Sequence, residues 1–306
     1  MAFRDSCKTK SGVAVLLSLA LVLVFVFTTA AYAKDPLLVP RRLSSTGDSI
    51  SAGIDVDYYG QNANASWVNG YYGFWEWLFG YTNVKSHNQR ITANWGSSGR
   101  ANYMDAVSGA DMFDFPGQTA QAASQSAYYV TVFMGHNDVC QNHPWEIPTD
   151  AVFESNLRAG MENMKNGLPH GAAVYVLAIV DIKKLYEVAK DKDALGIIDC
   201  EVLWATSLLD LFPCGTMLNP LNTEADRLYT QSRNIAFNDI LERVTAEYQA
   251  NDAHHNYYFT TLPFDYQFVE SDVSNLDCFH PSGQGQKTLS DRTWDVGPFR
   301  TYQKGS

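Results

Sequence analysis

The chain has 306 residues, of which 46% are hydrophobic, and it carries 33 acidic residues against 22 basic ones. A net charge of −11 at pH 7 repels phosphate backbones and anionic lipid. The composition therefore argues against nucleic acid as a partner and against standing attachment to an anionic membrane. No repeat and no linker rich in Pro, Ser or Gly interrupts the chain, so we expect a single domain.

The N-terminal segment has the pattern of a secretory signal peptide. Basic residues near the start precede the apolar run 13–27, and Ala31-Tyr32-Ala33 offers small residues where a signal peptidase cleaves. The run is short for a membrane span, which needs about 20 residues, although an uncleaved anchor is the alternative. We predict a signal peptide over residues 1–33 and one secreted or periplasmic domain over residues 34–306, with no permanent membrane span.

Strand and helix signals alternate along the rest of the chain. The predicted strands are one that ends at Gly47 and the apolar runs 128–134, 172–180 and 257–262. The predicted helices cover 66–79, which is rich in aromatic residues, then 150–167, 223–250 and 282–294. This alternation predicts a parallel sheet covered by helices on both faces, with its chemistry at the carboxyl ends of the strands.

Four motifs carry residues of the kind that acyl hydrolysis needs. They are Gly47-Asp48-Ser49, Ala106-Val107-Ser108-Gly109-Ala110, Gly135-His136-Asn137-Asp138 and Asp277-Cys278-Phe279-His280-Pro281-Ser282. A serine where a strand turns into a helix has its hydroxyl at a helix N-terminus, which favours developing negative charge. Asp277 and His280 can share one loop, so that the carboxylate binds Nδ1–H and directs Nε2 at a serine hydroxyl. Each motif alone could be an ordinary turn, but the ordered set indicates a hydrolase.

In these motifs the chain resembles the GDSL-type esterases/lipases of the SGNH hydrolase superfamily, over nearly all of residues 34–306. The last three motifs are most similar to the phospholipase B-like branch. The resemblance implies a three-layer α/β/α sandwich, flavodoxin-like, with a five-stranded parallel sheet and no metal or organic cofactor. It also implies that Ser49 is the nucleophile, that His280 is the general base and that Asp277 orients the base. Ile50 departs from the leucine that is usual at the fourth letter of the signature.

The resemblance also implies an oxyanion hole. Its donors would be the backbone N–H of Ser49, the side-chain amide of Asn137 and the backbone N–H of a glycine. Two glycines fit the wording of the family's second block, Gly109 and Gly99. Gly109 precedes Asn137 by 28 residues, about enough for one helix and one strand, whereas Gly99 would need an extra insertion. We therefore expect Gly109.

Four cysteines follow the predicted signal peptide: Cys140, Cys200, Cys214 and Cys278. An even number in an exported protein indicates two disulfides, with three possible pairings. We predict a local Cys200–Cys214 bridge and a Cys140–Cys278 bridge that would join two motif loops. A zinc site is the alternative, but no CxxC or HxxxH spacing supports it.

The sequence thus predicts a secreted serine ester hydrolase of the carboxylesterase, lipase or phospholipase type. It would act as a monomer on a small-molecule or lipid ester through an acyl-enzyme. The alternatives with the same triad are acyl transfer to an alcohol acceptor and removal of acetyl groups from carbohydrate. A non-catalytic carbohydrate- or lipid-binding module is a further alternative, against which the intact triad argues. We expect the aromatic stretch 67–79 in the core rather than in an acyl pocket.

Overall fold

The computed structural model describes residues 34–205 and 214–301, so the predicted signal peptide lies outside the described residues. The strands are β1 (Arg42–Gly47), β2 (Ala101–Met104), β3 (Tyr129–Phe133), β4 (Ala173–Leu177), β5 (Asp193–Ala194), β6 (Ile198–Asp199) and β7 (Asn256–Thr260). A parallel five-stranded sheet has the order β2-β1-β3-β4-β7, and β5 and β6 form a separate antiparallel pair. This order is that of flavodoxin-like folds, so the predicted fold class is confirmed.

Helices cover both faces of the sheet. They are α1 (Ser49–Ala52), α2 (Phe74–Leu78), α3 (His87–Trp95), α4 (Phe115–Ser124), α5 (His136–Val139), α6 (Asp150–Gly167), α7 (Ile182–Ala189), α8 (Cys200–Ala205), α9 (Gly215–Leu218), α10 (Glu224–Asn251), α11 (Leu262–Asp265) and α12 (Gly283–Val296). One layer consists of α4, α6 and α10. The other contains α3 and α12, where the His87 ring lies 3.0 Å from both the Tyr129 hydroxyl and the Thr293 hydroxyl. Among the described residues, no helix is long and apolar enough to cross a membrane.

The long helices begin at the residues whose side chains cap them. Thr149 accepts the N–H of Val152 at the start of α6, and Ser282 accepts the N–H of Gly285 at the start of α12. Thr223 and the third residue of α10 form a reciprocal capping box. Capping satisfies N–H groups that have no partner within the helix. The predicted helices over 150–167, 223–250 and 282–294 are therefore confirmed to within about two residues.

Strand β1 forms although its sequence has low strand propensity. Its hydroxyls are buried and hydrogen-bonded: Ser44 Oγ donates to Asp105 at 2.7 Å, and Thr46 Oγ1 donates to the carbonyl of Thr131 at 3.0 Å. A buried hydroxyl with a partner avoids the cost of desolvation. Tertiary contacts thus stabilise a strand that its residue types alone do not favour.

The predicted helix over 66–79 is wrong, because helix occupies only its last part, α2. Two glycines interrupt it. A Cβ on Gly70 would lie 2.4 Å from the carbonyl oxygen of Ser66, so the chain approaches itself closely there, and Gly73 is the N-cap of α2. The expectation of a core position is correct for Trp67, which is fully buried, but wrong for Trp75, which is 63% exposed.

Both predicted disulfide pairings are wrong. The structure pairs Cys140 with Cys214 and Cys200 with Cys278. Each bridge therefore joins one cysteine of a motif loop to one cysteine of the segment 190–222, which we call the insertion.

The packing of the insertion explains these pairings. Its α9 lies on the chain that follows the third motif, where Thr216 N–H donates to the carbonyl of Gln141 at 2.8 Å. Its β5–β6 turn lies on the loop before His280, where Leu195 N–H donates to the carbonyl of Asn275 at 2.8 Å. The described parts of the insertion thus contact both motif loops, and each contact lies near one of the two bridges.

Candidate active site

The turn between β1 and α1 presents Ser49 at the carboxyl edge of the sheet. Gly47 is required there, since a Cβ would lie 2.7 Å from the carbonyl oxygen of Phe133. Asp48 caps α1 by accepting the N–H of Ile50 at 3.0 Å. Ser49 is therefore the first residue of α1, at the end of the helix where unpaired N–H groups favour negative charge.

The structure brings the three predicted triad residues together. Ser49 Oγ lies 2.8 Å from Nε2 of His280, and Nδ1 of the same ring is hydrogen-bonded to Oδ2 of Asp277. The other oxygen of Asp277 accepts the backbone N–H of Phe279 at 2.9 Å and that of His280 at 3.1 Å. The fixed carboxylate favours the tautomer with a proton on Nδ1, which leaves Nε2 free to accept the serine proton.

The charges around His280 favour its protonated form. Burial alone would lower its pKa. The hydrogen bond and charge of Asp277, with the charges of Asp55 and Asp48, outweigh burial and raise the pKa above the usual 6.5. A raised pKa makes the imidazole a stronger acceptor for a hydroxyl proton.

A second histidine–aspartate pair supports the nucleophile turn, and sequence reasoning missed it. Nδ1 of His136 lies 2.7 Å from Oδ2 of Asp48, and Nε2 accepts the backbone N–H of Val180 at 3.3 Å. Because Nε2 accepts a hydrogen bond, the proton of this ring is on Nδ1 and faces Asp48. His136 thus fixes the carboxylate that caps the helix of Ser49. The position of His136 next to Asn137 in the third motif is the sequence signal that could have indicated this role.

The predicted oxyanion donors Asn137, in α5, and Gly109, in the loop after β2, lie at the same edge of the sheet. Asn137 Nδ2 donates to the carbonyl of Ala110 at 2.8 Å, which fixes the orientation of the amide. Ala110 follows Gly109 in the loop after β2, and this loop is attached to β1 because Val107 N–H donates to the carbonyl of Gly47 at 3.1 Å. The arrangement brings Asn137 and the loop of Gly109 to the edge where the serine lies.

Gly99, the alternative glycine, lies at the opposite edge. It precedes β2, and Ser98 beside it accepts a hydrogen bond of 2.8 Å from Arg41, which immediately precedes β1. The amino ends of parallel strands are remote from their carboxyl ends, so Gly99 lies far from Ser49. Gly109 stays the predicted donor.

Asp138 joins α5 to the loop of Gly109, a contact that sequence reasoning also missed. Its Oδ2 accepts the backbone N–H of Met112 at 2.8 Å. Burial raises the pKa of Asp138 to about 7, although the N–H of Met112 acts in the opposite direction. Asp138 therefore positions the loop of Gly109 against the helix of Asn137.

An apolar groove leads away from Ser49. Four side chains line both its near and its far part: Ile50, Val180, Phe268 and Pro281. The near part also contains Ile182 and Leu185. The far part lies between α11 and α12, beside Leu262 and Leu289. Such a groove can hold the chain of an apolar substrate group.

Two groups of side chains in the described residues have ligand atoms close enough for one cation. The first group is Asp55, Asp277 and His280, and the second is Asp35, His170 and His254. In the first group, Asp277 and His280 are already hydrogen-bonded to each other, and Asp55 accepts the N–H of Gly60. In the second group, Asp35 accepts a hydrogen bond from Nδ1 of His254 at 2.9 Å. This second group is largely exposed to solvent.

Ser49, His280 and Asp277 form a hydrogen-bonded series at the edge of a flavodoxin-like sheet. This arrangement can hydrolyse an ester. Residues 46–293 match the GDSL-like Lipase/Acylhydrolase family, and the chain belongs to that family. Its members hydrolyse ester bonds, and so this protein is an ester-bond hydrolase. The phospholipase B-like branch stays a prediction, and no curated protein matches the chain.

Solved structures similar to this chain include several hydrolases. An α/β hydrolase enzyme from the metagenome of Lake Arreo is 14% identical, with a TM-score of 0.48, and the alignment covers 84% of this chain and 94% of that one. An extracellular lipase from Streptomyces rimosus is also 14% identical, with a TM-score of 0.43 and coverage of 80% and 94%. A putative GDSL-like lipase from Parabacteroides merdae is 13% identical, with a TM-score of 0.39 and coverage of 86% and 98%.

Proposed function

We propose that the protein is a secreted serine ester hydrolase that forms an acyl-enzyme on Ser49. The observation that carries the proposal is the hydrogen-bonded series from Ser49 Oγ to His280 Nε2, at 2.8 Å, and from His280 Nδ1 to Asp277. His280 removes the hydroxyl proton of Ser49 as the Oγ of Ser49 attacks the ester carbonyl. The same proton then passes to the leaving alcohol, and His280 next activates the water that releases the acid.

The negative charge that develops on the carbonyl oxygen needs preorganised donors. The backbone N–H of Ser49, the backbone N–H of Gly109 and the amide of Asn137 are the proposed set. The hydrogen bond from Asn137 to Ala110 supports this assignment, because it holds the amide in place before substrate arrives. Preorganised donors of this kind each typically contribute about 10²–10³ in rate.

The groove beside Ser49 supports an ester with an apolar acyl chain as the substrate. Aliphatic and aromatic side chains line it, and its far part continues to Leu262 and Leu289. Each buried CH₂ of a chain contributes about 0.8 kcal/mol to binding. The groove therefore favours a lipid-type ester over an acetylated carbohydrate. The two disulfides support export to an oxidising compartment.

Hydrolysis of p-nitrophenyl esters of graded chain length tests the proposal. We expect kcat/KM to rise with chain length from acetate, and we expect Ser49→Ala to abolish turnover. Ser124→Ala is the control, because Ser124 lies at the exposed end of α4. An organophosphonate should label the protein at Ser49. Full activity in a folded Ser49→Ala protein would remove Ser49 as nucleophile, and acyl products that appear only with an added alcohol would indicate acyl transfer.

A further inference from the structure

The segment 71–81 presents an apolar surface that the catalytic site does not use. Six of its side chains are 52–65% exposed: Tyr71, Phe74, Trp75, Trp77, Leu78 and Phe79. We call these six residues the aromatic surface. Together they expose roughly 600 Å², since a large aromatic side chain has about 150–250 Å². A patch of this size is at the upper limit of what a monomer leaves in water, and such patches mark interaction sites.

The aromatic surface is contiguous. The ring of Phe74 lies 5.3 Å from Trp75 and 5.9 Å from Trp77, and the ring of Trp75 lies 6.5 Å from Phe79. Phe79 in turn lies 5.8 Å from Tyr81, measured between ring centroids. The rings of Phe74, Trp75, Trp77 and Phe79 therefore form one connected surface rather than isolated exposed residues.

The protein core does not stabilise the helix that carries this surface. None of the five residues of α2 is buried, and so short a helix has little stability of its own in water. The single charge of the segment belongs to Glu76, whose carboxylate accepts the N–H of Gly73 at 2.9 Å and the amide of Asn64 at 2.6 Å. The charge is thus directed back at the protein, and the rings face outward.

The aromatic surface is attached to the loop that carries the catalytic base. Tyr81 packs against Tyr58 with ring centroids 5.6 Å apart. The next residue, Tyr59, donates its hydroxyl to the carbonyl of Leu276 at 3.1 Å. Leu276 immediately precedes Asp277, so one short segment connects this surface to the active-site loop.

We propose that the aromatic surface docks on a zwitterionic lipid surface. Tryptophan, tyrosine and phenylalanine are the residues that settle at the interface between lipid and water. Residues 71–84 contain no lysine or arginine, and the chain as a whole is acidic, so anionic lipid is not attracted. A sugar ligand would need polar groups around the rings, whereas those of Asn64 and Glu76 bind each other. This proposal concerns the surface on which the protein binds lipid, and it is additional to the ester hydrolysis proposed at Ser49.

The binding test uses Ser49→Ala protein, which leaves the lipid intact, and phosphatidylcholine vesicles. We expect the protein to sediment with the vesicles and its tryptophan emission to shift to shorter wavelength. The double variant Trp75→Ala/Trp77→Ala is made in the same Ser49→Ala background. We expect it to partition into the vesicles about 100-fold more weakly, or about tenfold for each indole ring lost, even if only part of the exposed area of each ring leaves water. Trp145→Ala is the matched control, because Trp145 is 78% exposed outside the aromatic surface.

The outcomes separate docking from chemistry. In the Ser49 enzyme, the double variant should hydrolyse a short soluble ester at the unaltered rate, which also shows that it is folded, and should lose activity on vesicles. Equal vesicle binding by the double variant and the Trp145→Ala control would overturn the proposal, as would binding that requires anionic lipid. Self-association that the double variant abolishes, without vesicle binding, would assign the surface to a second copy of the chain.

Discussion

The two disulfides allow a matched pair of perturbations, because they close loops of nearly equal length. Cys140 and Cys214 are 74 residues apart, and Cys200 and Cys278 are 78 apart. In the chain-entropy model, a crosslink over such a span contributes about 4.5 kcal/mol to the free energy of unfolding. Replacing either pair by alanine should therefore lower the free energy of unfolding by about the same amount, measured by urea denaturation.

The two replacements should differ in catalysis. Cys278 lies between Asp277 and His280 with a φ of +58°, in the left-handed region that non-glycine residues rarely adopt. The bridge and the hydrogen bond from Cys278 N–H to the carbonyl of Ser274, at 3.1 Å, hold this turn. Without the bridge the turn can relax and displace the imidazole, and a displacement of about 1 Å can cost about 10² in rate. We expect kcat of Cys200→Ala/Cys278→Ala to fall between tenfold and that limit.

The other pair serves as the control. Cys140 follows Asn137 by three residues, but the amide of Asn137 is fixed separately by its hydrogen bond to the carbonyl of Ala110. Cys140→Ala/Cys214→Ala should therefore keep kcat within about threefold, since the proposed donor keeps its own anchor. Both variants are assayed on a soluble ester at a temperature where both are folded. Equal kcat values for the two would refute the idea that the bridge of Cys278 positions the base.

Three further predictions concern the groups around the serine. Asn137→Ala should lower kcat by about 10²–10³ with little change in KM, because the amide binds most strongly in the transition state; a change confined to KM would leave Asn137 a binding residue only. The rate should rise with pH through a midpoint above 6.5, because neutral His280 is the active form and its pKa is raised; a midpoint below 6.5 would contradict the effect of Asp277. Asp138→Ala should lower the free energy of unfolding by about 1–3 kcal/mol, since the buried N–H of Met112 loses its acceptor. Asp138→Asn keeps an acceptor and should retain most of the stability and kcat, and equal losses in both variants would point to the charge instead.

The parts of the fold that sequence predicted are those with local causes. The helix 150–167 has its cap and its amphipathic pattern within one segment, and β3 is a single apolar run. Asp277 and His280 are three residues apart, so their contact requires only one loop. Strand β1 was predictable only from the motif that follows it, because its own residues are stabilised by partners remote in sequence.

The parts that sequence missed depend on contacts between distant segments. The disulfide pairing depends on where the insertion lies, which no local pattern states. His136 acquires its role only when Asp48, 88 residues earlier, meets it across neighbouring strands. The prediction that residues 67–79 lie in the core was wrong for α2, because apolar residues usually indicate core, whereas α2 leaves its rings in solvent. In each case the deciding neighbour is remote in the chain.

The sheet fixes the proposed catalytic groups unequally. Ser49 and Asn137 follow β1 and β3, which are direct neighbours with Gly47 in register with Phe133, so backbone hydrogen bonds set their separation. His280 follows β7, the edge strand, and β3 and β4 lie between that strand and β1. The ladder therefore does not set the distance from His280 to Ser49.

Crosslinks outside the sheet supply that distance. Ser274 Oγ donates to the carbonyl of Asp55 at 2.6 Å, and Gln286 Nε2 donates to the carbonyl of Ile50 at 2.9 Å, so both flanks of the base are bound to the chain that follows the nucleophile. The disulfide of Cys278 adds a covalent link to the insertion. We therefore expect a perturbation of these links to displace His280, the proposed base, more than Ser49. Reduction of the Cys200–Cys278 bridge removes the covalent link and leaves these two hydrogen bonds, so we expect it to loosen the proposed base before it affects Ser49.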